Sequence, residues 1–165
     1  MTIVHGETIA IGLGEIHVTD RPSAVLACLG LGSCIGLSGY DPVSQVGGMV
    51  HIVLPQSAGG SNVVSAKYAN TAVPHLIGEM QKLGAVRSRI VWKMAGGALM
   101  SLSAGAGSLF RMGERNNEAT IAALNEAGMR VSGADTGGGI GRTMRLFLDT
   151  GKVTVSSAAT GTKEL

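Results

Sequence analysis

The sequence predicts one domain of mixed α and β structure, and three observations carry that expectation. At 165 residues the chain is long enough for one real core and too short for two. Several short apolar runs bounded by Gly, Pro and Asp have the length of strands. One longer segment repeats its apolar residues at helical spacing, and a second is bounded by helix start and stop residues.

Taken in order, Ile9 to Val18 alternates loosely around Gly12 and Gly14, which predicts a first strand with a bend or bulge. Asp20-Arg21-Pro22-Ser23 turns the chain, and the continuous apolar run from Ala24 to Leu29 fits a strand buried on both faces. A glycine turn, Leu29-Gly30-Leu31-Gly32-Ser33, leads into Cys34. From Cys34 to Tyr40 the chain is again strand, Asp41-Pro42-Val43-Ser44 turns it, and Gly47 to Leu54 returns as the second arm of a hairpin. If that turn sets Cys34 opposite either His51 or Val53, the period of two puts Cys34 and His51 on one face; a slip of one residue separates them.

Gln56 to Asn62 is a polar loop of the kind that borders sites. Ala69, Ala72, Val73, Leu76, Ile77, Met80 and Leu83 recur as one face of a helix that Gly84 stops, with Pro74 in its middle. His75 and Glu79, four apart on it, lack further ligands to complete a metal set and read as a solvated face. Arg89 to Lys93 is a strand, and a small-residue loop runs from Ala95 to about Gly113. Asn116 or Asn117 caps a second helix that continues through Ala127, and Arg130 to Ala134 is the next strand. A hairpin of Thr143 to Leu148 and Lys152 to Val155 ends the chain. Gly137 to Thr143 is a turn into it; Thr136 and Arg142 stand where a phosphate-binding loop needs glycine and lysine.

Composition narrows the function. A net charge of +2 without a Lys/Arg cluster, and aromatics at only 3%, leave no footprint for nucleic acid. Met94 to Phe110 is broken by four glycines and three serines and is no membrane span. The first residues carry no basic segment followed by an apolar one, so a cytoplasmic location is expected, with Cys28 and Cys34 as free thiols. Cys34 and His51, seventeen residues apart, read as a nucleophile and its base. From those two residue types alone, a structural cysteine and a core histidine are the better reading.

Larger motifs change that balance. Leu29-Gly30-Leu31-Gly32-Ser33-Cys34, Asp41-Pro42, Gly47 through His51 and Leu54-Pro55 resemble the CheD family of chemoreceptor glutamine deamidases. Lys67 to Ala72, Ala95-Gly96-Gly97-Ala98 with Met100, Gly113-Glu114-Arg115-Asn116 and Asp135 to Gly138 follow in that family's order, so the resemblance runs from about Gly12 to Val155.

The resemblance implies a layered sandwich of mixed β-sheets flanked by helices, similar to the catalytic domain of cytotoxic necrotizing factor, over a single domain, 1–165. It implies hydrolysis of glutamine amides on methyl-accepting chemotaxis receptors, in some members glutamyl methyl esters as well, with the CheC phosphatase as partner where it exists. Cys34 becomes the nucleophile and His51 the base, with amides near Gly32 and Ser33 holding the oxyanion. The chemistry needs neither metal nor organic cofactor. One departure stands out: the family usually has a threonine, orienting the histidine, six residues before the nucleophile, where this chain has Cys28. Cys28 is either a third member of the site or a plain core cysteine. The competing functions are an adaptor of the same fold that docks on receptors or CheC, and a Cys28–Cys34 redox switch. Receptor recognition is expected on Gln56 to Asn62 and Gly96 to Phe110.

Overall fold

A computed structural model describes residues 6–59, 65–99 and 111–165. Among these residues ten strands form two five-stranded sheets. The strands are β1 (Glu7–Ala10), β2 (Ile16–Thr19), β3 (Ala24–Leu31), β4 (Ile35–Asp41), β5 (Val46–Ile52), β6 (Val91–Gly96), β7 (Val131–Thr136), β8 (Arg142–Phe147), β9 (Val153–Ser157) and β10 (Gly161–Glu164). One sheet has the order β1-β3-β8-β9-β10, the other β2-β5-β4-β6-β7. Each contains one parallel pair, β1 with β3 and β6 with β7, so both are mixed. Among the described residues two α-helices, α1 (Ala69–Lys82) and α2 (Met112–Glu126), accompany the sheets.

Two apolar clusters define the layers. Leu26, Cys28, Leu31, Met49, Met144 and Leu146 fill the seam between the sheets. Leu37, Val50 and Trp92 pack instead against Leu76, Met80 and Leu124 of the helices. The sheet containing β4 and β5 is thus the middle layer, which is why both strands are buried from end to end. The expected sandwich of mixed sheets with helices outside is what the chain forms. The apolar stripe of α1 is also as expected, with Ala69, Ala72, Val73, Leu76, Ile77 and Met80 all buried; Leu83 lies just beyond the helix and is 44% exposed.

Several elements differ from expectation. Ile9 to Val18 is not one bulged strand: β1 and β2 belong to different sheets, and residues 11–15 cross from one to the other. Arg87–Arg89 is a 3-10 turn, so β6 starts later and runs through Gly96. The second helix begins at Met112, so Asn116 lies inside it rather than capping it. The last hairpin gains a third strand, β10, paired with β9. Of the loops assigned to receptor recognition, residues 60–62 and 100–110 lie outside the described residues.

The β4–β5 turn is fastened by a buried carboxylate. Asp41 is fully buried and accepts from Val43 N, Val86 N and, through two guanidinium nitrogens, Arg89. Burial raises its carboxyl, but Arg89 and the amides of Val86, Val43 and Ser44 outweigh burial and hold it well below the usual carboxylate range. A group lowered in this way contributes stability above pH of about 4, and that contribution is lost as the pH falls toward the lowered value. Asp41→Ala removes the acceptor of Arg89 and of several amides at once, with an expected cost of about 3 kcal/mol by urea unfolding. Asp41→Asn is expected to flatten the acid limb of the stability curve. An Asp41→Ala cost below about 1 kcal/mol would reduce the cluster to an ordinary surface pair.

Candidate active site

Cys34 immediately precedes β4, and the register of the hairpin decides what it faces. Ile35 pairs with Ile52 and Gly36 with His51, so the ladder extends to set Cys34 across from Val53. That is one of the two alternatives that put Cys34 and His51 on a common face, diagonal to each other. The face is the seam between the sheets: a side chain at Gly36 would meet Leu31, Met144 and Cys28. The seam opens at its end as a cleft of about 280 Å³ lined by Cys34, His51, Ile11, Leu13, Leu29 and Gly30, among others. A larger cleft, about 410 Å³, lies beside α2 and is lined by Asn70, Arg115, Glu118 and Glu126; neither thiol nor imidazole reaches it.

His51 is 5% exposed, and its Nδ1 lies 2.9 Å from the carbonyl oxygen of Ile11. A carbonyl only accepts, so Nδ1 carries the proton and Nε2 keeps its lone pair. Ile11 is itself fixed, its amide donating to the Ala27 carbonyl at 2.8 Å. The crossover holds the histidine backbone as well: His51 N donates to Glu15 O, and Gly14 N to His51 O. The loop from β1 to β2 therefore places the ring. Sequence reasoning missed Ile11, since the group that acts is a main-chain oxygen and leaves no mark on residue type.

Cys28 takes a different place. It is fully buried on β3 beneath the cleft, and its Sγ points at the Val50 carbonyl at 3.9 Å, while the Nδ1 partner of His51 belongs to Ile11. Burial, and then repulsion from Cys34 when that residue is a thiolate, push the Cys28 thiol up to about 12, so it stays protonated at neutral pH. Cys34 is half-buried, and burial raises its thiol too, so its resting form is the thiol. Both cysteines are free.

The turn before Cys34 is held through its carbonyls. Gly32 O accepts from Ala98 N at 2.8 Å, and Cys34 O from Gly97 N at 2.9 Å. Ser33 O accepts from Asn116 Nδ2 at 2.9 Å, and the same nitrogen lies 2.9 Å from Val53 O. Asn116 was expected to cap a helix; its side chain instead reaches from the second turn of α2 into the site. Arg142, noted for its place in a glycine turn, is a buried staple donating to Asp135 and to the carbonyls of Gly137 and Ile140. Among the described residues no group of three or more His, Cys, Asp or Glu could hold a metal, and no helix is long and apolar enough to cross a membrane.

A thiol and an imidazole on one face of a cleft, with one ring nitrogen fixed by a carbonyl, is the arrangement that thiol-dependent acyl-transfer enzymes use. Comparison with known proteins gives the family. A model described as CheD chemotactic sensory transduction matches residues 53–157, starting two residues after His51. A protein of Symbiobacterium thermophilum named "Probable chemoreceptor glutamine deamidase CheD" is 48% identical over 94% of this chain and 96% of its own length. Proteins of the same name from Archaeoglobus fulgidus and Desulfitobacterium hafniense are 42% and 39% identical, each over 94% of this chain and 97% and 96% of their own lengths. Matches of that extent leave too few residues outside to omit the segment from Cys28 to His51. The chain belongs to the CheD family.

Proposed function

We propose that this protein deamidates selected glutamines of chemoreceptors to glutamate, with Cys34 as nucleophile and His51 as base. The observation that carries the reading is the Ile11 carbonyl on His51 Nδ1, which leaves Nε2 as the acceptor on the face shared with Cys34. Family membership and the relatives' printed names supply the substrate.

In the first step the Cys34 proton passes to Nε2 as sulfur attacks the amide carbon. The carbonyl oxygen takes up negative charge against main-chain amides of the Gly32–Ser33–Cys34 turn. On collapse His51 returns the proton to the departing nitrogen, ammonia leaves and a thioester remains. Water, deprotonated by His51, then attacks the thioester, releasing glutamate and restoring the thiol. No step calls for a metal or organic cofactor. A glutamyl methyl ester presents the same acyl carbon and is a second substrate in this scheme, methanol replacing ammonia.

The full reading is one domain, 1–165, acting in the cytoplasm on methyl-accepting chemotaxis proteins, with CheC as partner where present. Reduced Cys28 and Cys34 suit that compartment. Of the two expected loops, the second touches the turn before Cys34, Ala98 N donating to Gly32 O, whereas Gln56 of the first lines the separate cleft beside α2. Cys28 is a packing residue here, because the orienting carbonyl is that of Ile11.

The test is mass spectrometry of a cognate receptor's cytoplasmic segment after incubation with the protein and two variants. Glutamine-to-glutamate conversion is expected with the wild type, none with Cys34→Ala, and conversion within about threefold of wild type with Cys28→Ala, since the base keeps its positioning bond. Conversion by Cys34→Ala would remove the thiol mechanism. A loss of a hundredfold or more with folded Cys28→Ala would return Cys28 to the site.

A further inference from the structure

Three consecutive carbonyls in the nucleophile turn are held toward the same neighbours, but not by the same kind of group. Those of Gly32 and Cys34 accept from main-chain amides of Ala98 and Gly97. The middle one, Ser33, depends on a side chain, Asn116 Nδ2. A trans peptide has its C=O and N–H antiparallel, so drawing the Ser33 carbonyl toward α2 turns the Cys34 N–H to the opposite side. Among the described residues the amides of Ser33 and Cys34 donate to no protein group. They are the donors available to an oxyanion formed at Cys34.

Asn116 is suited to that task and to little else. It is 0% exposed, and both of its Nδ2 partners are carbonyls, so its amide can face them only with nitrogen. Its Oδ1 is buried without a partner among the described residues, an arrangement that gives up stability. Through its second bond, to Val53 O, it ties the Cys34 turn to the end of the strand carrying His51.

Resting on the deamidase reading, we infer that Asn116 is a positioning residue for the oxyanion donor: by holding the Ser33 carbonyl it aims the Cys34 amide at the tetrahedral intermediate, and by holding the Val53 carbonyl it keeps that amide in register with His51. It touches no reacting atom. Its effect falls on the transition state, where charge accumulates on the substrate oxygen, and hardly on binding or on the thiol itself.

The test compares Asn116→Ala and Asn116→Ser with Thr120→Val in the full chain. Thr120 is also fully buried on α2 and donates to the Asn116 carbonyl, so its loss disturbs the same helix without releasing the turn. Two rates are measured: deamidation of a receptor segment, separated into kcat and KM, and alkylation of Cys34 by iodoacetamide against pH. Alkylation needs the thiolate but forms no oxyanion. For Asn116→Ala, kcat per alkylatable Cys34 is expected to fall by about 30- to 100-fold, with KM and the alkylation pH profile within about threefold of wild type. Asn116→Ser, whose hydroxyl can donate to one carbonyl, recovers part of the loss and serves where the alanine variant folds poorly. Thr120→Val keeps kcat within about threefold. Unchanged kcat in both Asn116 variants overturns the inference. So does a parallel fall of kcat and alkylation in the Asn116 and Thr120 variants, which would make Asn116 a general support of the fold. Failure of the underlying reading shows separately, as deamidation that survives Cys34→Ala.

Discussion

His51→Gln is expected to lower kcat for receptor deamidation by about 10³- to 10⁴-fold while the protein stays folded. Glutamine can keep a donor toward the Ile11 carbonyl, so the crossover need not collapse. What it lacks is a group that accepts a proton near neutral pH. Burial raises the Cys34 thiol and Cys28 stays protonated, so among the described residues that line the cleft His51 is the remaining titratable group placed to make the thiolate. The residual rate should climb with pH as hydroxide replaces the imidazole. A loss of less than about tenfold, with a flat pH profile, would mean that Cys34 is ionised without His51.

The second large effect is expected at Gly96, the last residue of β6. Its φ of 109° lies where side chains are rarely tolerated, and a Cβ there would drive into the carbonyl oxygen of Cys34, far inside contact distance. That oxygen is the main-chain oxygen of Cys34 itself, so relief requires moving the turn. Gly96→Ala is therefore predicted to cost about 4 kcal/mol in urea unfolding and to abolish turnover in whatever protein folds. Native-like stability together with native-like kcat would show that the turn yields freely and that its geometry is unimportant. Gly113 is tied to the same region from the other side, since a Cβ on it would strike Ala98 and Gly97.

The parts of this molecule legible in the sequence are those written in side chains. The stripe of α1 was readable because one face of a helix buries a fixed spacing of apolar residues. The β4–β5 hairpin was readable from Asp41 and its turn, and with it the relation of Cys34 to His51. The crossover at residues 11–15 was not, because glycines in a loosely alternating run fit a bulge and a change of sheet equally well. The Ile11 oxygen leaves no sequence trace, and residue type alone leaves Cys28, the departure from the family's threonine, open between a site member and a core cysteine. Asn116 misled for a definite reason: asparagine ahead of a helical run ordinarily satisfies that helix's own amides, and only tertiary packing reveals that these carbonyls lie in another element. β10 was missed because its four residues are exposed and carry no apolar alternation.

In the proposed reaction the glutamine's acyl group passes through Cys34. The direct measurement is to mix protein with a receptor segment, quench in acid within a turnover, and map the chain's peptides by mass. The expected product is a peptide containing Cys34 that is heavier by the receptor fragment less ammonia, reversed by hydroxylamine and absent from Cys34→Ala. Glutamate formation with no acyl group on Cys34 at any time, or with the acyl group on another residue, would contradict it.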